Sequence, residues 1–272
     1  MRKRAKSPGG AREESGPNSA ATLTRGLEIL RAFGPADNTL GNLDLIDRTG
    51  LPKATVSRLT YVLVNLGYLL YDEKLGRYSI GPATISLGYS SLRSMPVVRV
   101  VQPILRDLAD ETGLASAIGT RDNLEMIYLA NCRPIGPVAL QLNVGSRLPI
   151  WRTAMGLAYL AAMNPEKRDE VVERIVLGDP TRESQIRESA ESAVASYQAR
   201  GFVTTYGSWY SYINGVGTAF RPEDGSPLIA LTCGGIADML SREKCETVVA
   251  PKILHAVKRL RSLLELGIDP GK

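Results

Sequence analysis

From Thr22 onward, apolar side chains recur at helical spacing. Leu23, Leu27, Leu30 and Phe33 fall on one face while Arg25, Glu28 and Arg31 lie outside it, which predicts a first helix closed by Gly34 and Pro35. A second, short helix is predicted over 43–49, with Leu43 and Ile46 turned inward and Leu45 a further inward candidate. Gly50 stops it, because glycine enters a left-handed conformation at no steric cost. Leu51 and Pro52 open a third helix, since a proline in a first turn gives up no intrahelical hydrogen bond. At about 100° per residue, Val56, Leu59, Leu63 and Leu66 share one sector of that helix. Ala54, Ser57, Arg58 and Tyr61 take the opposite sector, with Lys53 at its edge and Thr55 on the flank nearer the packed side. Gly67 ends the helix, and strands over 68–71 and 77–80 follow, joined by the turn Asp72-Glu73-Lys74-Leu75-Gly76.

The later pattern alternates between the two periods. Helices are predicted over 85–93 and 97–112, the second closed by Gly113 and either kinked or started late at Pro103. Strands over 115–119 and 126–132 flank the turn Arg121-Asp122-Asn123, and a third, over 138–142, completes a meander. Helices over 153–163, 166–176 and 183–200 follow, then strands over 202–205, 213–220 and 228–233, with a hairpin turn at Glu223-Asp224-Gly225-Ser226. A long amphipathic stretch over 241–266 closes the chain, broken or restarted at Pro251. Helices segregated against an antiparallel sheet define an α+β second domain. Residues 1–19, by contrast, have almost nothing apolar and are expected to form a disordered basic arm.

Charge sharpens this division. The chain carries 33 Lys and Arg against 28 Asp and Glu. About 12 of the basic and 8 of the acidic residues fall within residues 1–90, so most of the net positive charge sits on the N-terminal third. A helix entering the major groove needs short polar and basic side chains near its N-terminus; Lys53, Thr55, Ser57 and Arg58 meet that need, and Ala54 and Tyr61 are expected beside them at the DNA. Lys74 and Arg77 on the hairpin are placed to grip a phosphate or minor groove. Double-stranded DNA is the expected partner.

Catalytic chemistry finds little to work with. His255 is the single histidine, and the three cysteines are far apart, with neither a disulfide framework nor a paired zinc spacing. The glycine-rich pieces at 214–217 and 233–235 lack the phosphate-loop and dinucleotide patterns. No cofactor or metal is expected. No apolar run approaches a membrane span, so the expectation is a soluble cytoplasmic protein that does not meet a membrane.

The run from Leu23 through Gly88, with TGLPKATVSRLTYVLVNLGYL and GRYSIGPATISLG, resembles the winged helix-turn-helix of IclR-family transcriptional regulators. That resemblance implies a DNA-binding domain over 20–86, a linker and connecting helix over 87–112, and an effector-binding domain similar to GAF and PAS modules over 113–268. It also implies a homodimer built largely on the first helix, or a homotetramer through the effector domains. GSRLPIWRTAMGLAYLAAM is similar to the family segment that caps a small-molecule pocket, with Trp151, Arg152 and Leu157 departing from the usual residues. Gly215 stands where the family often has Cys, and Thr232 and Gly234 where it often has Ser.

Strand alternation puts Ala230, Thr232 and Gly234 on one face, which is the expected pocket floor. Trp151, Arg152, Met155, Trp209, Tyr210 and Gly215 are the other expected effector contacts, with Tyr212 a further lid candidate. Aromatic rings in place of small polar donors favour an aromatic effector over a small keto acid. Two readings of the second domain stay open on sequence alone: a sensor of a small organic acid or aromatic compound, and a domain that only dimerises.

Overall fold

A computed structural model of the chain describes residues 17–34, 37–134, 140–223 and 225–266. The expected basic arm over 1–19 lies outside it up to residue 16. Two compact units divide between Ser90 and Ser91.

The first unit opens with α1, Pro17–Arg31. Its buried anchor is Ile29, whereas Leu23 and Leu27 of the expected inward face are 66% and 52% exposed. A short strand β1, Leu40–Gly41, which the apolar pattern does not reveal, precedes α2, Asn42–Thr49. Asp44 accepts the Gly41 N–H at 2.9 Å and so caps the helix start, and Gly50 ends it at φ 66°. The expected orientation of α2 is corrected: Leu45 is fully buried and Leu43 is 73% exposed. With Asp44 committed to the cap, residue 43 points away from the core.

Helix α3 spans Lys53–Asn65. Val56, Leu59 and Leu63 are buried as the periodicity requires, joined by Thr60, and each fully buried apolar side chain contributes about 1.5–3 kcal/mol. Leu66 belongs to neither helix nor core: it is the C-cap and 60% exposed. Strands β2, Leu69–Asp72, and β3, Arg77–Ile80, pair antiparallel, and β1 adds to the free edge of β3. The wing is therefore three-stranded. Helix α4, Ala83–Arg93, contains the division between the units and buries no side chain.

The second unit begins within α4 and includes α5, Pro96–Thr112. Although α5 was expected to be a connector, it buries Val97, Val101, Ile104, Leu105 and Leu108 in the core of this unit. It runs through Pro103 without a break, because that proline lies on the exposed face, where water can satisfy the carbonyl it leaves unpaired.

The sheet contains β4 (Ala115–Asp122), β5 (Glu125–Cys132), β6 (Arg147–Pro149), β7 (Val203–Tyr206), β8 (Ile213–Phe220) and β9 (Ile229–Ile236). Its order is β6-β5-β4-β9-β8-β7, with every neighbouring pair antiparallel. The strand expected over 138–142 is corrected. Its first two residues lie outside the described residues, Leu140, Gln141 and Leu142 are in no strand, and the edge position belongs to β6. A three-residue strand flanked by Ser146 and Ile150 is too short for its alternation to stand out from a loop.

One face of the sheet packs on α5 and on the C-terminal helical segment. That segment starts at α9, Arg242–Lys244, passes through a π turn at Cys245–Val249 and continues as α10, Ala250–Glu265. The other face packs on α6 (Ala154–Ala161), α7 (Pro165–Gly178) and α8 (Glu183–Arg200). Helix α6 lies almost on the backbone of β8. A Cβ added at Gly217 would stand 2.3 Å from the Ala154 carbonyl oxygen, and one at Gly156 would stand 2.1 Å from the Ile150 carbonyl oxygen.

Candidate functional site

On α3 the solvent side carries the residues expected there. Lys53, Ala54, Ser57, Arg58 and Tyr61 are exposed, and Thr55 is half-buried on the flank. The helix is held from beneath: Thr60 Oγ1 lies 2.9 Å from the Val56 carbonyl and 3.2 Å from the Tyr78 hydroxyl, which ties α3 to the middle of the wing. Tyr78 in turn stacks obliquely on Tyr71 at 4.9 Å between centroids.

The two wing cations have different surroundings. Lys74 is exposed at the tip of a turn built by Asp72, whose carboxylate accepts the N–H groups of Lys74 and Leu75 at 2.9 and 3.0 Å. Asp72 therefore shapes the turn. Arg77 is engaged internally: its Nε donates to Thr39 Oγ1 at 2.9 Å, and its Nη2 donates to the Thr39 carbonyl at 2.9 Å and to Asp44 at 2.8 Å. Arg77 thus braces the wing against α2.

A second brace closes the loop after α1. Arg48 pairs with Asp37 and donates to the Ala32 carbonyl at 2.8 Å. The Arg48 guanidinium, helped by the Gly34 N–H, holds the Asp37 carboxyl below the usual carboxylate range. The Asp44 carboxyl is likewise lowered, first by the Gly41 N–H and then by the charge of Arg77.

In the second unit, a recess of about 40 Å³ lies between the start of α6 and the exposed ends of β8 and β9. Of the eight expected effector residues, Arg152, Met155, Trp209, Gly215, Thr232 and Gly234 line it. Ala230 is buried in the core under α6. Trp151 is not at the recess: it packs against that same core and lies 5.6 Å from the Arg152 guanidinium. Tyr210 lines a larger neighbouring cavity of about 310 Å³, together with Trp209, Tyr212 and Gly234. The rings of Trp209, Tyr210 and Tyr212 run in sequence, at 4.6 and 5.6 Å between successive centroids.

Among the described residues Arg152 has no acidic partner. Its Nε and Nη2 donate at 2.8 Å to the carbonyls of Ser208 and Trp209, which fastens the aromatic loop over the recess and leaves Nη1 to face other acceptors. Sequence reasoning missed Tyr128, Leu148 and Thr205, which also line the recess. Alternation along β5 puts Tyr128 on the same face as Met126, which would have drawn attention to it. Burial raises the Tyr128 phenol, so its hydroxyl stays a hydrogen-bond donor. Cys233, one residue from Thr232 but on the opposite sheet face, is pushed up to about 12 by burial and is a packing residue. No group of three or more metal-ligating side chains occurs among the described residues, and none of their helices is long and apolar enough to cross a membrane.

A winged helix-turn-helix followed by an antiparallel sheet with helices on both faces and a small recess under an aromatic loop defines a two-domain transcriptional regulator of the effector-binding kind. The IclR helix-turn-helix domain matches residues 22–73, and the bacterial transcriptional regulator IclR C-terminal domain matches residues 89–261. The chain belongs to the IclR family, whose members are regulators and not enzymes. It is 30% identical to the HTH-type transcriptional regulator TsaQ1/TsaQ2 of Comamonas testosteroni, over 95% of this chain and 93% of that protein. It is 27% identical to the Pca regulon regulatory protein of Pseudomonas putida, over 90% and 84% of the two chains. Among solved structures, an IclR family transcriptional regulator from Brucella abortus superposes with a TM-score of 0.83 at 34% identity, covering 93% of this chain and 95% of that one. An IclR homologue from Microbacterium hydrocarbonoxydans, complexed with 4-hydroxybenzoate, shares the fold with a TM-score of 0.67 at 22% identity, over 90% and 99%.

Proposed function

We propose that this protein is a ligand-responsive regulator of a catabolic operon whose effector is a small organic acid or aromatic compound. The observation that carries this reading is the recess itself. Six expected contacts from α6, the aromatic loop, β8 and β9 converge there, with a guanidinium and a buried phenol as donors and apolar side chains around them. A carboxylate received by Arg152 and Tyr128 under an aromatic roof matches that lining. The M. hydrocarbonoxydans homologue was solved with an aromatic acid, 4-hydroxybenzoate, which favours the same ligand class.

Lys53, Thr55, Ser57 and Arg58 read operator DNA in this scheme, with Ala54 and Tyr61 beside them and Lys74 as a secondary grip. The reader is doubled. Exposed Leu23 and Leu27 on α1 provide an apolar dimer contact, and two half-sites about one DNA turn apart then set the geometry. Ligand binding changes operator affinity through the difference in free energy between bound and unbound arrangements.

The test is fluorescence anisotropy on DNA from the intergenic regions flanking the gene, at several salt concentrations. Replacing Lys53 and Arg58 by Ala together is expected to abolish sequence preference and to lower the slope of log K against log salt by about 0.9 per lost phosphate contact. Unchanged preference and slope in the double variant would sink the DNA-reading half. A thermal-shift panel of aromatic and keto acids tests the sensor half, and no stabilised compound would favour a domain that only dimerises.

A further inference from the structure

The cavity of about 310 Å³ beside the recess has a chemistry of its own. It lies where the starts of β4 and β8 and the end of β9 meet the aromatic loop, with Leu114, Ile213 and Ile236 on its inner wall. Leu114 is almost fully buried. Although the cavity and the recess share several wall residues, Leu114, Ile236, Tyr212 and Met239 belong to the cavity alone, and Tyr128, Arg152 and Thr232 belong to the recess alone.

No charged side chain lines the cavity. Its one side-chain amide, Gln141, is already engaged, its oxygen accepting from Arg133 at 3.1 Å. A carboxylate placed here would give up water without meeting a guanidinium or ammonium, and a charge moved out of water needs such a partner. The lining therefore disfavours the acids that suit the recess, where Arg152 stands ready.

Size and shape favour flat rings. An apolar cavity of about 150 Å³ takes one benzene molecule, so twice that volume has room for two fused rings. The Tyr210 and Tyr212 rings lie within 20° of parallel at 5.6 Å between centroids, a surface on which a further ring stacks. Both tyrosines and Met239 line the cavity and yet stay 47%, 57% and 41% exposed. Large apolar side chains left in water around a hollow, instead of scattered singly, mark a binding groove.

We propose that this cavity is a second small-molecule site, distinct from the recess, for an uncharged aromatic compound of about two fused rings. The compound stacks on the Tyr210-Tyr212 surface and buries its far edge against Leu114 and Ile236. The inference goes beyond the effector reading and does not rest on it, because an acid can occupy the recess whether or not a neutral ring occupies the cavity. Selection between the two spaces is by charge: the recess has a cation to offer and the cavity has none.

Isothermal titration of the full-length protein with 2-naphthamide and 2-naphthoate, the same two rings without and with a charge, tests this. The amide is expected to bind at one equivalent per chain. Replacing Tyr210 and Tyr212 together by Ala, at two exposed positions whose loss does not threaten folding, is expected to weaken it at least about tenfold. Tyr128→Phe, at a residue that lines the recess and not the cavity, is expected to leave it within about threefold. Any affinity for 2-naphthoate is expected to be indifferent to the loss of the two tyrosines. No binding of the amide, binding that is lost in Tyr128→Phe and kept in the double variant, or equal binding in all three proteins would overturn the second site. Loss of 2-naphthoate in the double variant as strong as that of the amide would overturn the selection by charge. The acid at the recess is decided separately, by the thermal-shift panel.

Discussion

Replacing Gly217 by Ala adds one methyl group at the closest approach between α6 and the sheet. The new Cβ would lie 2.3 Å from the Ala154 carbonyl oxygen, 2.6 Å from its carbon and 3.0 Å from the Met155 nitrogen, all of them backbone atoms. A flexible side chain could rotate away, but the first turn of a helix cannot, so α6 must retreat by about 1 Å to restore ordinary contact. Overpacking of this kind costs about 1–3 kcal/mol, and at about 2–4 °C per kcal/mol for a domain of this size the melting temperature is expected to fall by roughly 2–12 °C. Both tryptophans, Trp151 and Trp209, lie in the second unit, so urea unfolding followed by tryptophan fluorescence reports on that unit alone. Gly178→Ala is the control. That glycine ends α7 with open space around its Cβ position and a negative φ, so the same chemical change there is expected to be neutral or to stabilise by about 0.5–1 kcal/mol. A Gly217→Ala protein within about 0.5 kcal/mol of wild type would refute the close seating of α6 on β8, and with it the geometry of the recess.

Other expectations are independent of that one. Arg77→Ala is expected to weaken operator binding by loosening the wing without lowering the salt slope, whereas Lys74→Ala lowers the slope by about 0.9; a lowered slope for Arg77→Ala would make it a phosphate contact after all. Because the folded-state carboxyls of Asp37 and Asp44 titrate below their unfolded values, the stability they contribute is complete above about pH 4 and disappears as pH falls through the lowered values. Urea midpoints from circular dichroism between about pH 5 and 2 should therefore depend less on pH in Asp37→Asn. Cys233 and Cys245 are buried, with thiols pushed up to about 12 and about 11, so thiol reagents at about pH 8 should label them only after unfolding; rapid labelling of the native protein would contradict that burial.

The helix-turn-helix was legible because its information is local. Gly50, Pro52 and the 3.6-residue spacing of Val56, Leu59 and Leu63 fix the turn and the buried side of α3 without reference to the rest of the chain. The same logic failed at Leu43, where a side-chain cap at Asp44 sets the rotation of a helix too short for periodicity to decide. It failed again at Leu23 and Leu27, where apolar residues at helical spacing face outward in the single chain. In the second unit, strands of eight residues announced themselves, while three-residue β6 did not. The recess floor at Thr232 and Gly234 followed from alternation along one strand. Tyr128 is more than 100 residues away in sequence and joins it only through the pairing of β4 with both β5 and β9, which no local pattern encodes. Arg77 shows the converse: its charge was visible, its Thr39 and Asp44 partners were not.

The contact between Thr60 and Tyr78 has a consequence for how such a protein evolves. Helix, wing and α2 are fastened together by that hydroxyl pair and by the Arg77 brace, so each reading head behaves as a single piece of type. A type piece can be pressed harder or softer, but its letters stay as cast. On the function proposed above, which base sequence is recognised is stored in a few exchangeable side chains on one helix, and how firmly it is held is stored elsewhere. The two properties can then drift separately, so that a lineage inherits a new chemical signal and keeps its old genes, or acquires new genes under the signal it already hears.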